Sequence, residues 1–447
     1  MAVTEPAHPR ARGGTFVLLG RIPIFDRRLD VIGYDFPCAA VPEQPDATRS
    51  TEKANPSEHP LTSSLDATIA EPAHIDDIAG SKRAWLTIRR ESNGEDVSLA
   101  VPASRCVLKV LPGGPAVGAT DDDSLAIAEA RSSQLAEDAT RDSDIRAWAE
   151  PLRKQGYELA VGAWSEEAGA LGEVASFTLV DPDLASENLW QCLEVLNNPR
   201  RGAVMTGFES LQQVIEWSRA GATLFQGHVL SKPTGEVTDS LSPGRLACLQ
   251  LISRLRDPDT TAKELSRILS GDVSLSYRVL HVSSLGAASG LRRPVRSIEE
   301  AVVLLGRERL YSWLTFMTLA DLSPHVNEQV TIALVRARTC ELFASSVDPS
   351  LADAAFTVGL ISGISLIVGT SLGQLVTKMD IADDIANAVL DQRGPLGAIL
   401  ADVYDWEVST TLPTLRSGIE PAVAGHHYVS ALRWVSQIER SIELAAA

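Results

Sequence analysis

The chain has 447 residues, 45% of them hydrophobic, and a formal net charge of −18. That length provides for two or three domains with sizeable cores. The acidic excess argues against a nucleic-acid binder or a ligand of anionic membranes, both of which present basic faces. The excess is uneven: from Ser242 onward 18 Lys/Arg stand against 22 Asp/Glu, while the part before it holds 22 against 36. Five cysteines (Cys38, Cys106, Cys192, Cys248 and Cys340) are scattered with no C-x-x-C pair, which fits reduced thiols better than a disulfide framework or a zinc site. The opening stretch MAVTEPAHPRARGG lacks the apolar core of a signal peptide. The longest apolar run, Val358 to Gly369, is too short and too rich in Gly and Ser for a bilayer span. The expectation is a soluble, cytoplasmic protein.

Residues 1–15 read as a disordered leader. TFVLLGRIPIFDRRLDVIGYDF then reads as two strands, Phe16–Leu19 and Val31–Phe36, with a turn around Asp26–Asp30. A stretch crowded with Pro, Ser, Glu and Lys follows, and residues 41–60 are expected to be a mobile loop. RAWLTI and RCVLKVLP are short strands. ATDDDSLAIAEARSSQLAED and DSDIRAWAEPLRKQG read as helices, the second closing on Gly156. Strands and helices then alternate: YELAVG, SFTLVD, the helix LASENLWQCLEVLNN with Leu189, Cys192, Leu193 and Leu196 on one stripe, GAVMTG, the helix SLQQVIEWSRAG, and TLFQG. Such alternation predicts a parallel sheet or barrel. From Arg245 onward the pattern is helical throughout.

Two known families are resembled, one on each side of this shift. GRIPIFDRRLDVIGYDF looks like the opening of an EAL domain, the barrel that hydrolyses cyclic di-GMP. GYELAV resembles the strand before its paired aspartates, FTLVD its Leu-Lys-Ile-Asp strand, and VMTGFESLQQVIEWSRAGATLFQGHVLSKP its final segment. LSRILSGDVSLSYRVLHVSSLGAASGLRRPVRSIEEAVVLLGRERL, Leu265 to Leu310, resembles an HDOD domain, a helical HD-type fold without the HD metal residues. The resemblance implies a fusion signalling protein: a TIM-like, EAL-type α/β barrel over 16–235 and an all-α HDOD domain over 242–447.

Phosphodiester hydrolysis in the EAL family is implied to depend on divalent metals held by carboxylates and an amide. Carried over position by position, the signature glutamate falls on Asp35, the asparagine ligand on Thr87 and the following glutamate on Lys109. The paired aspartates fall on Gly162 and Ala163, the next lysine on Leu179 and the next glutamate on Thr206. Glu209 and Gln226 keep the pattern, and the substrate-contacting glutamine near the start is Ile22. The defining His-Asp pair of HD phosphohydrolases would sit at Ser362 and Gly363, and the HDOD Asn-Ser appears as Ser283-Ser284. On this basis no metal, cofactor or catalytic residue is expected, and the chain is expected not to be an enzyme.

The remaining candidates have plainer readings. His426-His427 on a helix point about 100° apart, a poor chelate, and suit a surface or capping role beside Gly425. LRRPVRS can meet a phosphate, but Ser297 and Glu300 also form a capping box. TDDDS suits a helix N-terminus, GGPAVGA lacks the P-loop spacing, and LYSWLTFMTLADL serves core or interface. The leading expectation is a non-catalytic scaffold that binds an unidentified signalling protein through its HDOD domain. The alternative is a receptor whose barrel binds cyclic di-GMP or another nucleotide without cleaving it, with Arg21, Gln226 and His228 as ligand contacts; no nucleic acid and no membrane span enter either reading.

Overall fold

The computed structural model describes residues 16–41, 72–89, 102–111, 145–163, 171, 174–183, 189–196, 198, 200–231, 261, 263, 327–368, 371–379 and 382–446. The leader, the loop after Val41, TDDDS, GGPAVGA, the run Leu265–Leu310 with its Ser283-Ser284 and LRRPVRS, and LYSWLTFMTLADL lie outside them. The chain forms two compact units, one running to Gly227 and the other starting at His228.

In the first unit eight strands close a barrel: β2 (Ile22–Asp26), β3 (Val31–Asp35), β5 (Arg83–Arg89), β6 (Cys106–Leu111), β7 (Glu158–Gly162), β8 (Phe177–Val180), β9 (Gly202–Phe208) and β10 (Leu224–Gly227). They are ordered β10-β2-β3-β5-β6-β7-β8-β9, and β1 (Phe16–Leu18) pairs with β4 (Cys38–Ala40) in a separate ribbon. The expected barrel is therefore present with one correction: it is mixed. Strand β2 runs antiparallel to both of its neighbours, while the other six pairings are parallel. The Asp26–Asp30 turn explains this, since a tight hairpin can only join antiparallel strands. Asp26 Oδ1 accepts the amides of Arg28 (2.7 Å) and Asp30 (3.1 Å), and Leu29 takes a positive φ of 68°.

The sequence reading assigned no strand to Ile22–Asp26 or Cys38–Ala40. Pro23 hides the first, because proline normally demotes a strand. It is tolerated because β10 pairs only with Ile24–Asp26, so Pro23 lies one residue beyond that ladder.

Helices α1 (Pro72–Ala79), α2 (145–154), α3 (Leu189–Leu196) and α4 (Leu211–Arg219) belong to this unit. Gly156 after α2 has φ 90°, as a left-handed helix stop requires. Helix α4 starts on a capping box, in which the Ser210 hydroxyl accepts the Gln213 amide and the Gln213 side chain answers at the Ser210 amide. Side chains inside the barrel come from alternate residues: Ile24, Trp85, Val107, Ala160 and Val204 form the core, with Phe177, Leu179 and Leu224 packed against it.

Every described element of the second unit from residue 327 onward is helical. They are α5 (Asn327–Val347), α6 (Ala352–Val368), α7 (Leu372–Met379), α8 (Asp383–Asp391), α9 (Gly394–Val408) and α10 (Pro421–Ala446). A 3-10 turn, Pro349–Leu351, links α5 to α6, and the Asp348 carboxylate caps it. Phe343, Phe356, Trp406 and Leu400 are buried in the core of this unit. Residues Val358–Val368 of the apolar run form the C-terminal part of α6, which begins at Ala352. Among the described residues one segment, Pro349–Ile367, is long and apolar enough to cross a membrane, and 67% of its window is buried within the fold. Helix α9 ends near a loop held by Asp402, a fully buried carboxylate that accepts the amides of Arg416 (2.6 Å) and Ser417 (2.8 Å).

Candidate functional site at the barrel mouth

The barrel core ring fixes which residues reach its C-terminal mouth. Side chains two positions further along a strand share its face, so the residues above Trp85, Val107, Ala160, Val204 and Leu224 are Thr87, Lys109, Gly162, Thr206 and Gln226. Asp35 stands beside Trp85 in the β3–β5 register, and Ile22 pairs with Asp35 across the hairpin. Six candidate positions, Asp35, Thr87, Lys109, Gly162, Thr206 and Gln226, thus lie in the C-terminal halves of their strands. Leu179 pairs with Gly162 on one side and Val204 on the other, and it packs against the core ring. The residue above it, Asp181, is exposed, and its Oδ1 accepts the Asp183 amide (2.9 Å) in the turn that ends β8.

Three of the mouth residues form a buried network. Asp35 is 4% exposed and Gln226 8% exposed. Gln226 Nε2 donates to Asp35 Oδ2 at 2.5 Å, and the Lys109 ammonium makes an ion pair with Asp35 Oδ1. Residue Gly227, next after Gln226, has φ 155°, and a Cβ there would lie 2.0 Å from the Phe208 carbonyl oxygen. Glycine thus lets β10 close against β9 while Gln226 points inward. The charge pair is felt on the neighbouring ribbon: burial and then the Asp35 charge push the Cys38 thiol up to about 12, with Lys109 acting in the opposite sense.

The other mouth positions are less engaged with one another. Thr87 is half-buried at the end of β5 and registers with Lys109. The Thr206 hydroxyl donates to the Val180 carbonyl at 3.3 Å, which turns it toward the β8 backbone. Gly162 ends β7, and the Ala163 amide donates to the Leu179 carbonyl at 2.8 Å, extending the ladder by one residue. Glu209 is exposed beyond β9 and its amide donates to Gln213 Oε1 at 3.1 Å. Arg21 lies with its guanidinium 4.0 Å from the Tyr34 ring centroid and donates to the Ile78 carbonyl at 3.4 Å. His228 follows β10 directly and opens a 3-10 turn, His228–Ser231.

These donors do not fit a divalent metal. Oxygen-ligated Mg²⁺ or Ca²⁺ needs several carboxylates or carbonyls converging on one point. Here Asp35, the one buried carboxylate of the mouth among the described residues, already has an ammonium beside one oxygen and an amide on the other. No group of three or more His, Cys, Asp or Glu able to hold a metal occurs among the described residues. The pairing of Lys109 with Asp35 was not read from the sequence, although opposite charges at two inward mouth positions are the signal for it.

The second candidate position, on α6, is a seam between helices. Gly359 and Gly363 face Ala337 and Ala333 of α5, and a Cβ at Gly363 would come within 2.4 Å of the Ala333 Cβ. Ser362 is 2% exposed, and its hydroxyl donates to the Gly359 carbonyl at 2.7 Å. There is no room at Ser362-Gly363 for a pair of ligand side chains. On α10, the rings of His426 and His427 are 6.1 Å apart, and Ser346 Oγ of α5 lies 2.6 Å from His427 Nε2. Burial, then His426 and Arg338, hold the His427 imidazole below its usual value.

Comparison with known proteins places these features. The model of the HDOD domain matches residues 246–386. A Vibrio cholerae protein named cyclic di-GMP phosphodiesterase CdgJ is 26% identical over 250 residues, covering 54% of this chain and 57% of that protein. A Bacillus subtilis protein named uncharacterized protein YuxH is 25% identical over 223 residues, covering 48% of this chain and 54% of that protein. The chain thus spans little more than half the length of these relatives. Among solved structures, the Bacillus subtilis YkuI protein, with an EAL domain, in complex with cyclic di-GMP and calcium, is 13% identical, with a TM-score of 0.30 over 65% of this chain and 73% of that one.

The Vibrio relative corrects one expectation. A protein named as a phosphodiesterase is 26% identical to this chain over 250 residues, so the aligned losses do not justify classing the chain as a non-enzyme. The tally of lost ligands rested on a few aligned positions, while carboxylates such as Glu166 and Glu167, close behind β7, lie outside the described residues. Residues 246–386 match the HDOD domain, and they stand in a chain related by sequence to a protein named for cyclic di-GMP hydrolysis.

Proposed function

We propose that this chain works in cyclic di-GMP signalling: the barrel mouth takes the cyclic dinucleotide, and the helical HDOD region offers the surface through which a partner protein reads its occupancy. The observation that carries this reading is the buried Asp35–Lys109–Gln226 network at the C-terminal mouth of a closed barrel. Ligands of such barrels sit at that end, and the three side chains match the chemistry of the ligand. An ammonium suits a phosphodiester, while a carboxylate and a carboxamide suit the donor edge of a guanine. The likeness of GRIPIFDRRLDVIGYDF and VMTGFESLQQVIEWSRAGATLFQGHVLSKP to an EAL domain supports it, as does the name of the Vibrio relative. Arg21 and His228 are the contacts proposed at the rim.

Turnover is the second reading, favoured by the activity for which that same relative is named. One experiment addresses both. Full-length protein is titrated calorimetrically with cyclic di-GMP, with and without Mg²⁺, and the mixtures are then chromatographed for the linear dinucleotide. Heat with a Kd in the micromolar range or tighter supports the mouth as the binding site, provided Gln226→Ala weakens it tenfold or more. No heat and no thermal shift would sink the nucleotide reading. Linear product accumulating with time and enzyme concentration establishes turnover.

A further inference from the structure

The mouth already contains a cation. The Lys109 side chain is 13% exposed and that of Asp35 6%, so both charges are withdrawn from water and depend on each other. Their geometry is set by three strands at once: Asp35 ends β3, Lys109 lies within β6 with Thr87 beside it in register, and Gln226 comes from β10. Gln226 donates to the other Asp35 oxygen, so each carboxylate oxygen already faces a partner. An ammonium carries three N–H donors. With one directed at Asp35, Lys109 keeps hydrogen-bonding capacity for an anion arriving at the mouth.

We propose that Lys109 is a tethered counter-cation that takes, at Asp35, the place a divalent ion would occupy. A phosphodiester then binds at the mouth through Lys109 itself and without added metal. The second half rests on the reading of the mouth as a nucleotide site; the first half concerns Asp35 and metal alone and stands or falls separately.

The test uses the full-length chain and Mn²⁺ followed by electron paramagnetic resonance. Wild type and Asp35→Asn are expected to bind Mn²⁺ alike, within a factor of two, because Asp35 is already paired. Lys109→Glu, which supplies a second carboxylate and removes the ammonium, is expected to gain at least tenfold in Mn²⁺ affinity. Lys109→Gln, expected to gain threefold or more, serves if the glutamate variant does not fold. A wild-type Mn²⁺ site that Asp35→Asn weakens tenfold overturns the proposal, and so does a folded Lys109 variant with no gain. In the nucleotide arm, cyclic di-GMP affinity is expected to be unchanged by EDTA and reduced tenfold or more by Lys109→Gln; loss of binding in EDTA refutes metal independence. Failure of cyclic di-GMP to bind under any condition removes the nucleotide reading, while the Mn²⁺ comparison still decides the role of Lys109.

Discussion

A carboxylate that is 4% exposed is an unstable thing to own unless its charge is met, and Asp35 is met twice, by Lys109 and by Gln226. Taking away one member of a buried pair typically costs about 3–5 kcal/mol, because the other is left charged without a partner. Lys109→Met is therefore expected to destabilise the barrel by about that much, and the double variant Lys109→Met, Asp35→Asn by clearly less than the two single changes added together. Urea unfolding of the four proteins measures this, and strictly additive effects would show that the two charges do not depend on each other. The mouth positions were read strand by strand, and Asp35, Thr87, Lys109, Gly162, Thr206 and Gln226 each fall in the C-terminal half of a barrel strand. The partnership was not legible, because it is made by strands far apart in the chain. Leu179 marks the limit of counting along strands, since it packs against the core ring although its partner on β7 is Gly162.

Helices α5 and α6 meet through glycine and alanine, which lets their backbones approach closely. Gly359 would place a Cβ 2.7 Å from the Ala337 Cα, and Gly363 one 2.5 Å from the Ala333 Cα. Neither obstacle is the movable end of a side chain. Gly363→Ala is expected to cost about 1–3 kcal/mol as overpacking, although alanine is the better helix former, and the denaturation midpoint of the helical unit reports it. An unchanged or raised midpoint would show that the helices can slide apart at no penalty. The sequence reading stopped the apolar run at Val358 because Ala352–Thr357 is less hydrophobic, yet helical hydrogen bonding continues through it to Ala352. Helix α4 was easier to read, because Ser210 and Gln213 announce its start chemically. Strand β4, three residues long, carries too little pattern to be seen without its partner β1.

Across the whole molecule the formal charge is −18 with neutral histidines, and the response to acid depends on which groups take up protons. His427 contributes with a definite sign. Its imidazole is held below the ordinary value of 6.5, first by burial and then by His426 and Arg338. As pH falls through about 6.5 the unfolded chain binds a proton there before the folded one, so stability present at neutral pH is lost between that value and the lower folded one. Wild type is thus expected to lose more thermal stability between pH 7.5 and 5.5 than His427→Gln, which has no such group; parallel slopes of Tm against pH would exclude this role. The two-part organisation itself was legible, because a change from alternating strands and helices to helices alone survives any error at an individual boundary. One feature of that first part reaches into the life of the chain on the ribosome. The barrel is shut by pairing β2 with β10, and the bond from Gln226 to Asp35 spans 191 residues. At about 5–20 residues per second of synthesis, roughly 10–40 s separate the emergence of Asp35 from that of its partner. Throughout that interval β2 is an open edge and Asp35 has no amide to meet, so the mouth is the last part of the barrel to be assembled, and a nascent chain cut short before Leu224 can have neither a closed barrel nor a finished site.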